Sequence, residues 1–283
     1  MSAADQIEEA PEVVLRYQGG LRAAWQDLTE GARQWPLWWL LALQQVKSQY
    51  RRTVLGPWWM TIQMAAFVAA LSLLFGALMG RDMQTFVPYV AVGYVFFSFL
   101  SGTFISGSTA FTANAGTIKG SPAPLSTFVY RGVAVNLIQL AHDFVVVVII
   151  LIVFRVTPTW ELVLFPLGLL FVVVNAVAFG LWLGPLTARY RDVGQVVQAL
   201  VRILFFLTPI FWNPSDLSSQ QRALLAAWNP FAYLLAIVRS PLLGMPVEML
   251  VVLGTLVVTV LNVVGGFFGF AASRRSVPYW VQS

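Results

Sequence analysis

The chain is 283 residues long, 58% hydrophobic and only 10% charged, with a formal net charge of +5, whereas a soluble domain carries about a quarter charged residues. That balance excludes a soluble globular enzyme, and the lack of any cysteine excludes disulfides, thiolate catalysis and Cys-bound zinc or iron–sulfur centres. A single histidine cannot build a multi-histidine metal site, and with no Gly-Lys pair there is no phosphate-cradling GxxxxGK[ST] loop, so any ATP that drives this protein binds to another chain.

Residues 1–34 read as a cytoplasmic tail, because the acidic first stretch ends in Gly19-Gly20 and no apolar core precedes a small-residue cleavage site. In 35–52 (WPLWWLLALQQVKSQYRR), Gln44, Lys47, Ser48 and Arg51 share one helical face. The spacing predicts an amphipathic helix, either lying in the inner-leaflet interface or packed on the bundle. Continuous apolar runs follow at 58–79, 86–111, 132–154, 162–186, 196–212 and 249–272. They are long enough for transmembrane helices and too continuous for barrel strands. The fold class is therefore all-α: a polytopic membrane protein whose permease domain, 35–283, holds six spans. With the N-terminus inside, twelve Lys and Arg residues lie on the cytoplasmic side against Arg81, Arg155, Arg222 and Arg239 outside. This is the positive-inside pattern, so the net charge reflects orientation among membrane lipids and not a nucleic-acid partner, and both termini are cytoplasmic.

Between the second and third spans lies a 20-residue loop, TANAGTIKGSPAPLSTFVYR, whose Ile118, Leu125 and Phe128 are spaced apolar residues amid Gly, Pro and Ser. Such a loop suits docking onto another protein; its other reading is a connector whose apolar residues merely touch the inner interface. In 213–248, Ser218 and Gln221 have capping-box spacing and Asn229-Pro230 interrupts two helical patterns. The second pattern, 231–238, is apolar but too short to span, which predicts a re-entrant outer hairpin. Asp143 and Arg202 are the only charges within the spans, each on a polar stripe (Asn136, Gln139, Asp143; Gln195, Gln198, Arg202). Their depths allow an intramembrane pair; the other reading is an ion relay. Small and hydroxyl residues of the second span, and Gly265 with Gly269 in the last, favour close helix packing.

Three stretches, YRRTVLGPWW (50–59), RYRDVGQVVQALVRILFFLTPIFW (189–212) and NPFAYLLAIVRSPLLG (229–244), resemble the permease subunits of bacterial polysaccharide ABC exporters. That family exports O-antigen, teichoic acid and related cell-envelope polymers. The resemblance implies a homodimer of permeases bound to two copies of a separate ATPase. It further implies that the complex moves a lipid-linked polysaccharide across the inner membrane, with ATP and Mg on the partner subunit and no cofactor in this chain. It places a coupling helix within 112–125, with Ile118, Lys119 and Leu125 as ATPase contacts. Two short gate helices map to 217–227 and 231–238, with Trp228, Asn229, Pro230, Phe231 and Tyr233 at the outer gate. Arg51 and Arg52, at the level of the inner head groups, are candidates for contact with a lipid diphosphate or head group; their other reading is positive-inside anchoring. A drug or lipid exporter permease, and a secondary transporter using Asp143 and Arg202, are the alternative functions.

Overall fold

The computed structural model describes residues 20–120, 123–222 and 228–281, and every regular element among them is helical. In chain order these are α1 (Leu21–Arg33), α2 (Trp35–Gln49), α3 (Trp58–Met79), α4 (Met83–Ser108), a 3₁₀ turn (Thr112–Asn114), α5 (Ala115–Gly120) and α6 (Ser126–Val153). A second 3₁₀ turn (Trp160–Leu164) leads into α7 (Phe165–Arg189), followed by α8 (Asp192–Leu207), a third 3₁₀ turn (Pro214–Asp216), α9 (Ser219–Arg222), α10 (Pro230–Leu242), α11 (Met249–Ser273) and α12 (Val277–Trp280).

Five helices, α3, α4, α6, α7 and α11, are long and apolar enough to cross a membrane. The remaining expected span, 196–212, folds as the 16-residue α8 and then leaves helical geometry. Pro209 is the local cause: a proline disfavours helical backbone at the preceding residue, and Thr208 sits at φ −84°, ψ 136°. At 1.5 Å per residue α8 is about 24 Å long, so the bent stretch after it has to complete any crossing.

The most enclosed of the long helices is α4, which packs on α3, α6, α7, α8 and α10. Its entry is a tight connection. Gly80, at φ 59°, closes α3, with the Arg81 N–H donating to the Gly76 carbonyl, and Asp82 caps α4 by accepting from the Gln84 N–H. With no hydrophobic effect between helices in lipid, close backbone approach and interhelical hydrogen bonds must hold the bundle. Both are present. A Cβ on Gly107 of α4 would lie 2.9 Å from the Gly180 Cα of α7. Between α7 and α11, Trp182 Nε1 donates to Asn262 Oδ1 (2.8 Å), Asn262 Nδ2 to Asn175 Oδ1 (3.0 Å) and Asn175 Nδ2 to Thr259 Oγ1 (2.8 Å). Of the two glycines expected to mediate packing in the last span, Gly269 approaches Trp182 whereas Gly265 faces open space. Gly266 makes the closest approach, to the Ala178 carbonyl.

The N-terminal region carries more structure than the expected tail. α1 docks on α6 and α11, and α2 runs alongside α6: Trp38 meets the Tyr130 ring at 5.9 Å, Ala42 and Val46 bury against Ala134 and Ile138, and Tyr50 closes the same cluster. These contacts recur along α2 and hold it against α6. On the other side of α2, Trp35, Leu37, Trp39 and Leu40 remain exposed.

Candidate functional site

One end of the bundle is organised around Asp27. Its carboxylate accepts from the backbone N–H groups of Leu125 (3.1 Å) and Ser126 (2.9 Å) and from Arg274 Nε (2.8 Å), while Ser126 Oγ donates to the Asp27 carbonyl. One acid thereby joins α1, the N-terminus of α6 and the end of α11, and its negative charge complements the positive end of the α6 dipole. The sequence signal was available: Ala24, Asp27 and Gly31 fall on one face of α1 and are its buried residues. A carboxylate within an otherwise small, buried face demands a partner. Nearby, Arg131 donates to Asn114 Oδ1 (3.1 Å) and to Gln45 Oε1 (2.9 Å), linking α6 to α2 and the 3₁₀ turn.

These contacts correct the expected coupling residues. Ile118 and Leu125 are fully buried, clustered with Ala24, Phe111, Phe128 and Val277. Their apolar side chains moor the loop to the body of the protein and offer no surface to a partner. Lys119 lies in the same short helix, α5; the exposed positions around it are Ala113, Gly116, Thr117 and Gly120.

The expected Asp143–Arg202 pair is not formed within the chain. Asp143, on α6, is 2% exposed with Oδ1 unpartnered and its carboxylate hydrogen-bonded by Gln139. Arg202 lies on the exposed face of α8, a helix that packs chiefly on α4 and α7. Equal depth does not ensure equal azimuth, and here the two groups point to different surroundings. Arg51 and Arg52 are both exposed just beyond the α2 C-terminus, Arg52 at φ 75°.

Along α8, Arg191, Gln195, Gln198 and Arg202 form an exposed polar row opposite the buried Gly194, Val197 and Leu204. The row gives way to rings. Phe205 meets Tyr94 at 6.1 Å, Tyr94 stacks on Phe67 at 4.5 Å, and farther out Phe75 stacks on Phe211 at 4.1 Å. Phe67 and Phe206 are 43% and 63% exposed. A surface of α3 and α8 thus passes from hydrogen-bonding side chains to aromatic faces.

At the other end, a cavity of about 550 Å³ is lined by Arg81, Gln84, Tyr89, Arg155, Trp212 and Gly244 among others. An Arg81–Asp216 ion pair ties the α3–α4 connection to the segment leading into α9. Behind the cavity, the buried Arg239 guanidinium lies 4.0 Å from the Tyr89 ring centroid and donates to the Pro209 carbonyl. Ser218 and Gln221 form the expected capping box, each side chain reaching the other's backbone N–H. The first expected gate helix, 217–227, lies partly outside the described residues.

The second expected gate helix is longer than 231–238. α10 has 13 residues, begins at the Asn229 cap and packs on α4, α7 and α11. Asn229 accepts from the Phe231 N–H and donates to Thr208 Oγ1. Phe231 sits among Phe97, Phe104 and Phe179 at 5.6–6.1 Å, and Tyr233 lies against Gly254. Of the expected gate residues, Pro230 starts α10 and only Trp228, 86% exposed, is free of the packed body. The bulky apolar residues of α10 fill the gap between α4 and α7, so this helix is a fixed wall and not a loose flap.

Comparison with known proteins places this geometry. Residues 36–243 match the family model of the ABC-2 type transporter. The chain is 24% identical over 196 residues to the O-antigen export system permease protein RfbA of Myxococcus xanthus, covering 69% of this chain and 75% of that protein. It is 21% identical over 193 residues to the protein of the same name from Klebsiella pneumoniae, covering 67% and 73%. Apolar helices of membrane-crossing length agree with a membrane transport subunit of a family whose ATPase is a separate chain. The chain belongs to the ABC-2 type transporter family.

Proposed function

We propose that the chain is the permease of an ATP-driven exporter of lipid-linked cell-envelope polysaccharide in the bacterial inner membrane, working as a homodimer with two ATPase subunits. The observation that carries this reading is the surface of α8 and α3, where the exposed polar row from Arg191 to Arg202 gives way to rings of which Phe67 and Phe206 are exposed and Phe205 is half-buried. Sugars have hydroxyl rims and apolar ring faces. A path that first hydrogen-bonds and then stacks suits them better than it suits a wholly apolar drug or lipid. The names of the two relatives support the same substrate class. A second copy of this surface facing the first would enclose the path, and it would bring the exposed Arg202 off the lipid face, where an unpaired charge is costly. The outer hairpin re-enters the membrane and seals the path, with Trp228 and the segment held by the Arg81–Asp216 pair as its adjustable parts.

The test is deletion of the gene in its own host, with the surface polymer and its lipid-linked precursor measured together. The expected result is loss of surface polymer, accumulation of precursor inside and restoration by the intact gene. Unchanged surface polymer with a lost drug or lipid efflux would favour the other exporter class.

In this reading Arg51 and Arg52 contact the diphosphate at the inner head-group level, where guanidinium forks match phosphate oxygens. Changing both to Gln is expected to raise the half-saturating concentration of lipid-linked glycan roughly tenfold, the loss of about 1.4 kcal/mol of binding. Co-purification of the ATPase should be retained. Loss of that co-purification with unaltered half-saturation would assign the pair to assembly.

A further inference from the structure

On the side of the α5 segment, the ends of α4, α7 and α8 and the short α12 enclose a cavity of about 420 Å³ whose lining includes Thr112, Thr187, Arg191, Gln195, Gln198 and Trp280. Its size falls within the ordinary range for small-ligand sites, about 300–1,000 Å³. Among the described residues, no carboxylate lines it. Thr187 is 3% exposed, and its hydroxyl has no hydrogen-bond partner. A helical threonine commonly satisfies its hydroxyl on the carbonyl one turn back, and a buried orphan of this kind calls for an explanation. Gln195 and Gln198 are exposed, and each amide carries both donors and an acceptor. The Arg189 guanidinium lies 5.5 Å from the Trp280 ring centroid and 5.1 Å from that of Tyr190, which fixes the indole at the cavity wall.

We infer that this cavity is a sugar-binding site at the cytoplasmic mouth of the export path, an assignment that rests on the glycan reading above. A pyranose ring offers hydroxyls that both donate and accept, together with an apolar face. The cavity answers with two amides, threonine hydroxyls and an indole. Among the described lining residues a single cation, Arg191, is too little for a diphosphate site, and with no acid among them neutral and acidic sugars are admitted alike. The site lies at the foot of the polar row on α8, so a ring held by Gln195 and Gln198 stands next to Arg202, the next polar residue of that row. The glycan is thereby selected by its sugars before it enters the path, separately from recognition of its lipid carrier.

Thr187→Val removes the hydroxyl and keeps the shape. Because that hydroxyl has no partner among the described residues, folded yield should be unchanged or improved. The permease–ATPase complex in vesicles would be supplied with the lipid-linked glycan fraction extracted from host cells that lack the permease. In this assay the variant should require roughly fivefold more glycan for half-saturation. Independently, Ala115→Cys places a thiol in the lining of this cysteine-free chain. In complex with a cysteine-free ATPase its maleimide labelling should be slowed by the glycan fraction and not by undecaprenyl diphosphate without sugar. Equal protection by both probes would overturn the assignment in favour of phosphate binding, and absence of labelling in the unloaded complex would show that the ATPase covers the cavity. If the unaltered complex moves glycan while Thr187→Val leaves half-saturation unchanged and Ala115→Cys is unprotected, the cavity assignment fails alone. If the unaltered complex moves no glycan, the export reading fails with it.

Discussion

Asp27→Ala is expected to lower stability by about 3–5 kcal/mol, the range for removing one partner of a buried ion pair. The substitution removes the carboxylate that Arg274 pairs with and strips the Leu125 and Ser126 N–H groups of their acceptor. Thermal unfolding of the detergent-solubilised chain, followed by intrinsic fluorescence, would measure the loss. Asp27→Leu combined with Arg274→Met should be milder than Asp27→Ala, because the buried guanidinium is removed together with the carboxylate it pairs with. If the double variant is as unstable as the single one, the pair itself contributes little and the backbone contacts carry the junction.

Phe231→Ala is expected to destabilise the fold by about 3 kcal/mol, the lower end of the range for emptying a buried aromatic site. The lower end applies because an unfolded membrane helix remains in apolar solvent, so the loss is mainly one of packing contacts. Phe231 is 1% exposed and touches the rings of Phe97, Phe104 and Phe179, so the cavity opens at the centre of α4 and α7. The measurable outcome is a lower yield of folded protein and a lower unfolding temperature. A mobile gate residue would behave differently: export or ion leakage would change while the unfolding temperature stayed constant. Trp228→Ala is the control, since an 86% exposed side chain contributes little to packing.

The long helices were legible because their signal is one-dimensional: a continuous apolar run needs no knowledge of its neighbours. Local backbone chemistry was equally legible at Ser218–Gln221 and Asn229–Pro230, where a side chain answers a nearby N–H. What escaped depends on direction. Spaced apolar residues in a loop read the same whether they face a partner or fold inward, and Ile118 and Leu125 fold inward. The spacing of Asp143 and Arg202 gives their depth and says nothing of the rotation of α6 relative to α8. Pro209 could have shortened the fifth expected span, since the residue before proline resists helical geometry. Thr187 could not have been singled out, because its orphaned hydroxyl exists only once α7, α8 and α12 are assembled.

The Asp27–Arg274 contact also orders events during biosynthesis. Asp27 is made early, and Arg274 reaches the insertion machinery 247 residues later, at about 5–20 residues per second. Until then the carboxylate can collect the Leu125 and Ser126 N–H groups but no counter-charge. A nascent chain with every earlier helix in place therefore still carries that acid without its arginine, and the junction is completed only when α11 has formed and delivered it.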